Sequence, residues 1–156
     1  MVEILQDFKP FFGIKQTGIP DVGALHYLQK LGVIDIGSNS VRMVVFDGAA
    51  RSPSYFYNEK ILCGLGLGLI SSGKLNEEGK MRAISAIERF VNIAEAMEVP
   101  QLTLIATAAV RMASDGQAFC KEITKKTKKE VKIINGLEEA RLSAQGVMLG
   151  WPGAYG

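Results

Sequence analysis

The chain has 156 residues, with 18 Lys+Arg against 16 Asp+Glu and a formal net charge of +2. That length suits one globular domain or one lobe of something larger, and 47% hydrophobic against 22% charged residues excludes a disordered chain. So mild a charge points to neither nucleic acid nor membrane, so any anion site must come from local geometry.

Residues 1–30 hold Pro10, Gly13, Gly18, Pro20 and Gly23. Breakers this close together predict an irregular N-terminal arm, with a short helix near Ala24 to Lys30. The first residues lack a basic segment followed by an apolar stretch and a small-residue cleavage site, so a cytoplasmic location is expected. The compact lobe is expected over residues 31–150. Gly32 to Ile36 reads as a strand, Gly37-Ser38-Asn39-Ser40 as a turn, and Val41 to Phe46 as a returning strand closed by Asp47-Gly48.

A third strand is expected over Tyr55 to Leu62, followed by a loop with Gly64, Gly66 and Gly68. The run Ile61 to Ile70 is well short of the ~18 residues needed to span a bilayer, so no membrane partner is expected. Asn76 before Glu77 and Glu78 marks a helix start: the amide side chain accepts from exposed N–H groups and the carboxylates sit at the positive end of the dipole. Met81, Ile84, Ile87, Val91, Ala94 and Met97 form its core-facing stripe, and Pro100 ends it. Leu102 to Ala106 then reads as a strand, Gln117 to Thr127 as a helix, Val131 to Ile134 as a strand, and Leu137 to Leu149 as a last helix. The order β-β-β-α-β-α-β-α is an α/β mixed sheet flanked by helices.

The cysteines, Cys63 and Cys120, form no Cys-x-x-Cys pair and suit two buried thiols in a reducing compartment. With His26 the lone histidine, neither a His-based metal site nor a Ser-His-Asp triad can be built, so proton transfer falls to a carboxylate. Three strand ends could carry chemistry. After Asp35, the Gly37, Ser38, Asn39 and Ser40 turn presents consecutive N–H groups and small polar side chains to a phosphate, although the same residues suit an ordinary hairpin. Asp35 could hold a divalent cation beside those oxygens, directly or through water. Thr107 and Arg111 follow a buried strand where open α/β sheets place ligands, and Arg111 could bind phosphate bidentately or be a paired surface arginine.

At the third strand end, Leu137, Ala140, Ala144, Val147 and Met148 share one helix face, with Glu138 and Glu139 on opposite flanks. At most one of those carboxylates points into a given cleft; both also suit the first-turn dipole. Six lysines, Lys121, Lys125, Lys126, Lys128, Lys129 and Lys132, outnumber the three acids of residues 115–132. They form a solvated face or a patch that captures a polyanion.

In order, VIDIGSNSVRMVVFDG, LGLGLISSGKL, IATAAVRMASDG and IINGLEEARLSAQGV resemble the N-terminal lobe of the exopolyphosphatase and guanosine pentaphosphate phosphohydrolase (Ppx/GppA) family, over about residues 32–150. The resemblance implies an actin-like ATPase-domain (ribonuclease H-like) lobe and Mg²⁺-dependent hydrolysis of terminal phosphate from inorganic polyphosphate or pppGpp. It implies phosphate-loop roles for Ser38, Asn39 and Ser40, a polyphosphate contact at Arg111, and a general base at Glu139. A non-catalytic actin-like phosphate- or nucleotide-binding module is the alternative. Members of the family continue into a second glycine-rich phosphate loop that starts with a metal-binding aspartate. Residues 151–156 therefore read as a truncated link to a missing C-terminal half, and this chain is expected to fold yet hydrolyse little by itself. The open cleft face makes self-association into a homo-oligomer an expectation as well.

Overall fold

The structure, a computed structural model, describes residues 30–46 and 55–150. The expected arm with its short helix, the Asp47-Gly48 turn and the link at 151–156 lie outside the described residues.

The sheet has five strands, β1 (Leu31–Ile36), β2 (Ser40–Phe46), β3 (Tyr55–Leu62), β4 (Gln101–Ala106) and β5 (Val131–Ile133), in the order β3-β2-β1-β4-β5. β1 pairs antiparallel with β2 and β2 with β3, whereas β1 to β4 and β4 to β5 run parallel. Two-residue alternation sorts the side chains: Ile34, Ile36, Val41, Met43, Val45, Leu104 and Ala106 point to one face and are buried. Val33, Asp35, Val44 and Ile105 point to the other and are only half-buried. The antiparallel hairpin, the parallel crossovers and the flanking helices make a mixed α/β sheet, as the element order requires.

The covered face lies under α2 (Glu77–Ala96) and α4 (Gly116–Thr127), which also pack on each other. Asn76 caps α2 by accepting from the Gly79 N–H at 2.8 Å. Gly79 has no alternative, since a Cβ there would lie 2.8 Å from the Gly64 carbonyl oxygen. The buried stripe of α2 is Ala83, Ile84, Ala86, Ile87, Phe90, Val91 and Ala94. Met81, expected in that stripe, is 64% exposed instead. It follows the buried Gly79 but projects from the flank of the helix away from Gly79, Ala83 and Phe90, and Phe90 supplies the large apolar side chain. The helix ends before Pro100: Glu98 adopts φ 53° and the Val99 N–H returns to the Ala94 carbonyl at 2.9 Å.

Two short helices stand where sequence patterning shows none, α1 (Leu69–Ser72) after the glycine loop and α3 (Ala108–Met112) after β4. Both are below the length at which periodicity is readable. The last helix, α5 (Gly136–Gly150), forms where the sequence predicts it. Its apolar face is not buried among the described residues: Leu137 is 83% and Val147 63% exposed, and Ala140 and Ala144 are exposed too. Leu62, Leu67, Ile70 and Met112 are likewise exposed. With Leu137 they ring one edge of the sheet, where β1, β3, β4 and β5 end.

Candidate functional site

That edge carries the candidate site. Between β1 and β2 the loop is tight, with the Gly37 N–H donating to the Ser40 carbonyl at 3.0 Å. Three more carbonyls around it are also taken. Thr107 N–H donates to Ile36 O at 3.2 Å, Gly66 N–H to Ser38 O at 2.7 Å, and the Cys63 and Gly64 N–H groups to Asn39 O at 2.9 and 3.0 Å. The N–H groups of Ser38 and Asn39 donate to nothing among the described residues, and both side chains are exposed. A turn with the Ser38, Asn39 and Ser40 carbonyls spent on the protein and two N–H donors left outward could receive an anion. The glycine loop before α1 makes this possible: a Cβ on Gly66 would come within 3.1 Å of the Ser38 Cβ. Arg82 of α2 steadies that loop, donating from Nε and Nη2 to the Cys63 carbonyl at 3.0 and 2.8 Å. Neither Gly66 nor Arg82 was expected to matter; the close glycine spacing was the one hint.

Asp35 lies beside the loop on the half-open face, in register between Arg42 and Ile105. Its Oδ1 is the one buried side-chain oxygen or nitrogen among the described residues with no hydrogen-bond partner. Burial pushes the carboxyl above the usual carboxylate range, and the charge of Glu139 pushes it further, against the pull of Arg42. Arg42 is held by the Asn58 side chain at 2.9 Å. Register aligns Lys60, Arg42, Asp35, Ile105 and Lys132 in one row across the five strands. Counting by twos outward from Asp35 would have found Arg42 only with the hairpin register in hand. An orphaned, desolvated carboxylate oxygen suits a hard cation that takes one or two carboxylates and completes its shell with water and phosphate oxygens. No cluster of three or more His, Cys, Asp or Glu occurs among the described residues, so Asp35 is the residue that could hold one.

Arg111 and Glu139 meet opposite Asp35. The Arg111 guanidinium donates from Nη1 to the Ile134 carbonyl at 2.6 Å, and the same nitrogen lies 3.3 Å from Glu139 Oε2. Glu139 is on the first turn of α5, where Asn135 Oδ1 accepts from the Glu138 N–H at 2.8 Å and the Asn135 carbonyl from the Glu139 N–H at 2.9 Å. The two neighbouring carboxylates part company: Glu138 turns to Lys132 at 3.2 Å and Glu139 to Arg111 and Asp35. Thr107 contributes through its backbone, tying β4 to the end of β1, while its half-buried side chain makes no hydrogen bond among the described residues. The lysines lie off this centre. Lys126 pairs with Glu88 at 3.5 Å and Lys128 Nζ donates to the Lys125 carbonyl at 2.9 Å. Both cysteines are buried and free, the Cys120 thiol pushed by burial up to about 11, which leaves it inert.

An outward-facing amide loop, an arginine and a carboxylate thus stand at the carboxyl edge of a mixed sheet in an α/β lobe. Residues 44–154 match the Ppx/GppA phosphatase family, and the chain belongs to that family. It is 33% identical over 125 residues to exopolyphosphatase 1 of Mycobacterium tuberculosis, covering 78% of this chain and 36% of that one. Exopolyphosphatase 1 of Mycobacterium leprae is 30% identical over 125 residues, covering 78% of this chain and 37% of the relative. Among solved structures, an exopolyphosphatase from Cytophaga hutchinsonii superposes with a TM-score of 0.72 at 34% identity, over 76% of this chain and 38% of that one. The Aquifex aeolicus Ppx/GppA family member superposes with a TM-score of 0.71 at 23% identity, over 78% of this chain and 40% of that chain. The fold is therefore the actin-like lobe of this family, and the chain spans little more than a third of the length of the mycobacterial relatives. No helix among the described residues is long and apolar enough to cross a membrane.

Proposed function

We propose that this chain supplies one lobe of an exopolyphosphatase active site, which releases the terminal phosphate of inorganic polyphosphate. The observation that carries the reading is the convergence of the loop at Gly37 to Ser40, Arg111 and Glu139 around an orphaned Asp35 oxygen. In this mechanism Glu139 takes a proton from water as the water oxygen bonds to the terminal phosphorus. The bridging P–O bond breaks and the shortened chain leaves as the anion. The Ser38 and Asn39 amides and the Arg111 guanidinium face the oxygens on which charge builds. Magnesium held by Asp35 would neutralise phosphate oxygens when bound.

Cleavage of pppGpp is the second reading, since it presents the same terminal anhydride to the same groups; a non-catalytic phosphate- or nucleotide-binding lobe is the third. The relatives extend well beyond the matched region, and we assign the donors on the far side of the phosphate to that further sequence. The exposed Leu62, Leu67, Ile70, Met112 and Leu137 edge supports contact with it or with a second copy. A cytoplasmic location fits a polyphosphate or nucleotide substrate.

Phosphate release by the two-lobed protein tests the proposal. Glu139→Gln is expected to lower turnover by about 10²-fold or more, the scale of a lost general base; near-normal release removes Glu139 from the mechanism. Titration of polyphosphate, pppGpp and ATP against the chain at two salt concentrations separates the readings. Tight, salt-insensitive preference for ATP favours the non-catalytic one.

A further inference from the structure

We infer that Glu139 occupies, in the ligand-free protein, the place on Arg111 that phosphate takes, so that substrate itself frees the carboxylate. This rests on the phosphate-site reading above. Arg111 makes two unlike contacts through one nitrogen: a short bond to the Ile134 carbonyl at 2.6 Å and a longer one to Glu139 Oε2 at 3.3 Å. The first anchors α3 to the end of β5. The second is the exchangeable one, because both partners are about a third exposed and the distance is long for a charge-assisted bond.

Electrostatics favours the exchange. Glu139 and the Asp35 carboxylate repel each other, and the guanidinium that offsets Asp35 is that of Arg42, which leaves Glu139 and an incoming phosphate to compete for Arg111. A phosphate brings two or three acceptor oxygens and more charge than a single carboxylate oxygen, and the planar guanidinium meets it bidentately. The backbone need not move. Asn135 fixes the first turn of α5 through both its side chain and its carbonyl, so side-chain torsions of Glu139 and Arg111 suffice. Before exchange, Glu139 Oε2 is spent on Arg111; afterwards it is free to accept a proton from water. Occupancy of the phosphate subsite and release of the base are one event.

Tripolyphosphate binding to this chain, by calorimetry with EDTA present, tests the coupling without recourse to turnover. Glu139→Gln is expected to tighten binding about five- to tenfold, and the gain is expected to shrink to about twofold or less on an Arg111→Met background. Unchanged or weaker binding by Glu139→Gln overturns the inference. So does an equal gain with and without Arg111, which is what simple removal of a nearby negative charge produces. Arg111→Gln, which removes the charge but keeps a polar side chain, provides the same cycle should Arg111→Met not fold. As a second readout, the Glu139 side-chain carboxyl resonance is expected to shift as tripolyphosphate saturates; a stationary resonance contradicts the exchange. If neither wild type nor Glu139→Gln binds tripolyphosphate, the phosphate-site reading fails first and takes this inference with it.

Discussion

The two faces of the sheet are made by alternate residues of the same strands, yet they are built to different ends. Between the sheet and α2 and α4, Ile34, Met43, Val45, Leu104 and Phe90 are essentially solvent-free, and among the described residues no polar or charged residue is buried there. On the other face the same strands carry Asp35, Arg42, Lys60 and Lys132 in one row, with a buried carboxylate oxygen that no described residue satisfies. One face holds the lobe together; the other holds charge in place at a cost in stability. A fold can tolerate such a defect because its covered face carries the hydrophobic term alone.

Substitutions on the two faces should therefore differ in sign as well as size. Phe90→Ala, on the covered face, is expected to cost about 3–5 kcal/mol in urea unfolding, the scale of a lost buried aromatic. A loss below about 1 kcal/mol would mean that the core lies elsewhere. Asp115 joins the helix layer from outside, accepting from the Leu75 N–H at 2.9 Å and from Lys80 Nζ at 2.9 Å. Asp115→Ala should cost roughly 1.5–3 kcal/mol, as for hydrogen bonds to a charged group.

The same residue predicts a pH dependence. Burial alone would raise the Asp115 carboxyl, but the Leu75 N–H and the Lys80 ammonium together hold it below its ordinary value. A carboxyl depressed in the folded state contributes stability above its unfolded value, near 3.9. That contribution is lost as pH falls through the folded value. Wild type should therefore lose its stability advantage over Asp115→Ala on acidification from pH 5 toward pH 2, and a constant difference would count against the network.

On the open face the sign reverses. Asp35→Asn removes a desolvated charge facing Glu139 and is expected to raise stability by about 1 kcal/mol without divalent cations, while abolishing any gain on adding Mg²⁺. A lower Tm for this variant would show Asp35 to be a structural residue. Smallest is Glu98→Gly, which relieves the left-handed backbone at φ 53° after α2 and should add about 1 kcal/mol or less. It lies far from the charged row, so phosphate binding should not change with it.

Which parts were legible follows from the same contrast. Alternation in β1, β2 and β4, the Asn76 cap and the period of α2 are local signals, and they place the covered face nearly residue by residue. Met81 misled because a three- and four-residue count started there begins on the flank away from Gly79, Ala83 and Phe90. The apolar stripe of α5 was legible too, but not that it lies uncovered among the described residues. The site was legible as separate strand ends, and the resemblance joined them. Arg42 facing Asp35, the Gly66 contact with Ser38 and the shared nitrogen of Arg111 were not, since each depends on register or tertiary approach between segments distant in sequence.

The central claim is that the loop after Asp35, with Arg111, binds terminal phosphate. Amide and guanidinium NMR of the isotopically labelled chain during titration with tripolyphosphate tests it most directly. The account predicts saturable shifts at Ser38, Asn39, Ser40 and the Arg111 side chain, with Lys125 to Lys129 responding weakly and only at low salt. Saturable shifts confined to Lys125 to Lys129, with the loop and Arg111 unmoved, would contradict it.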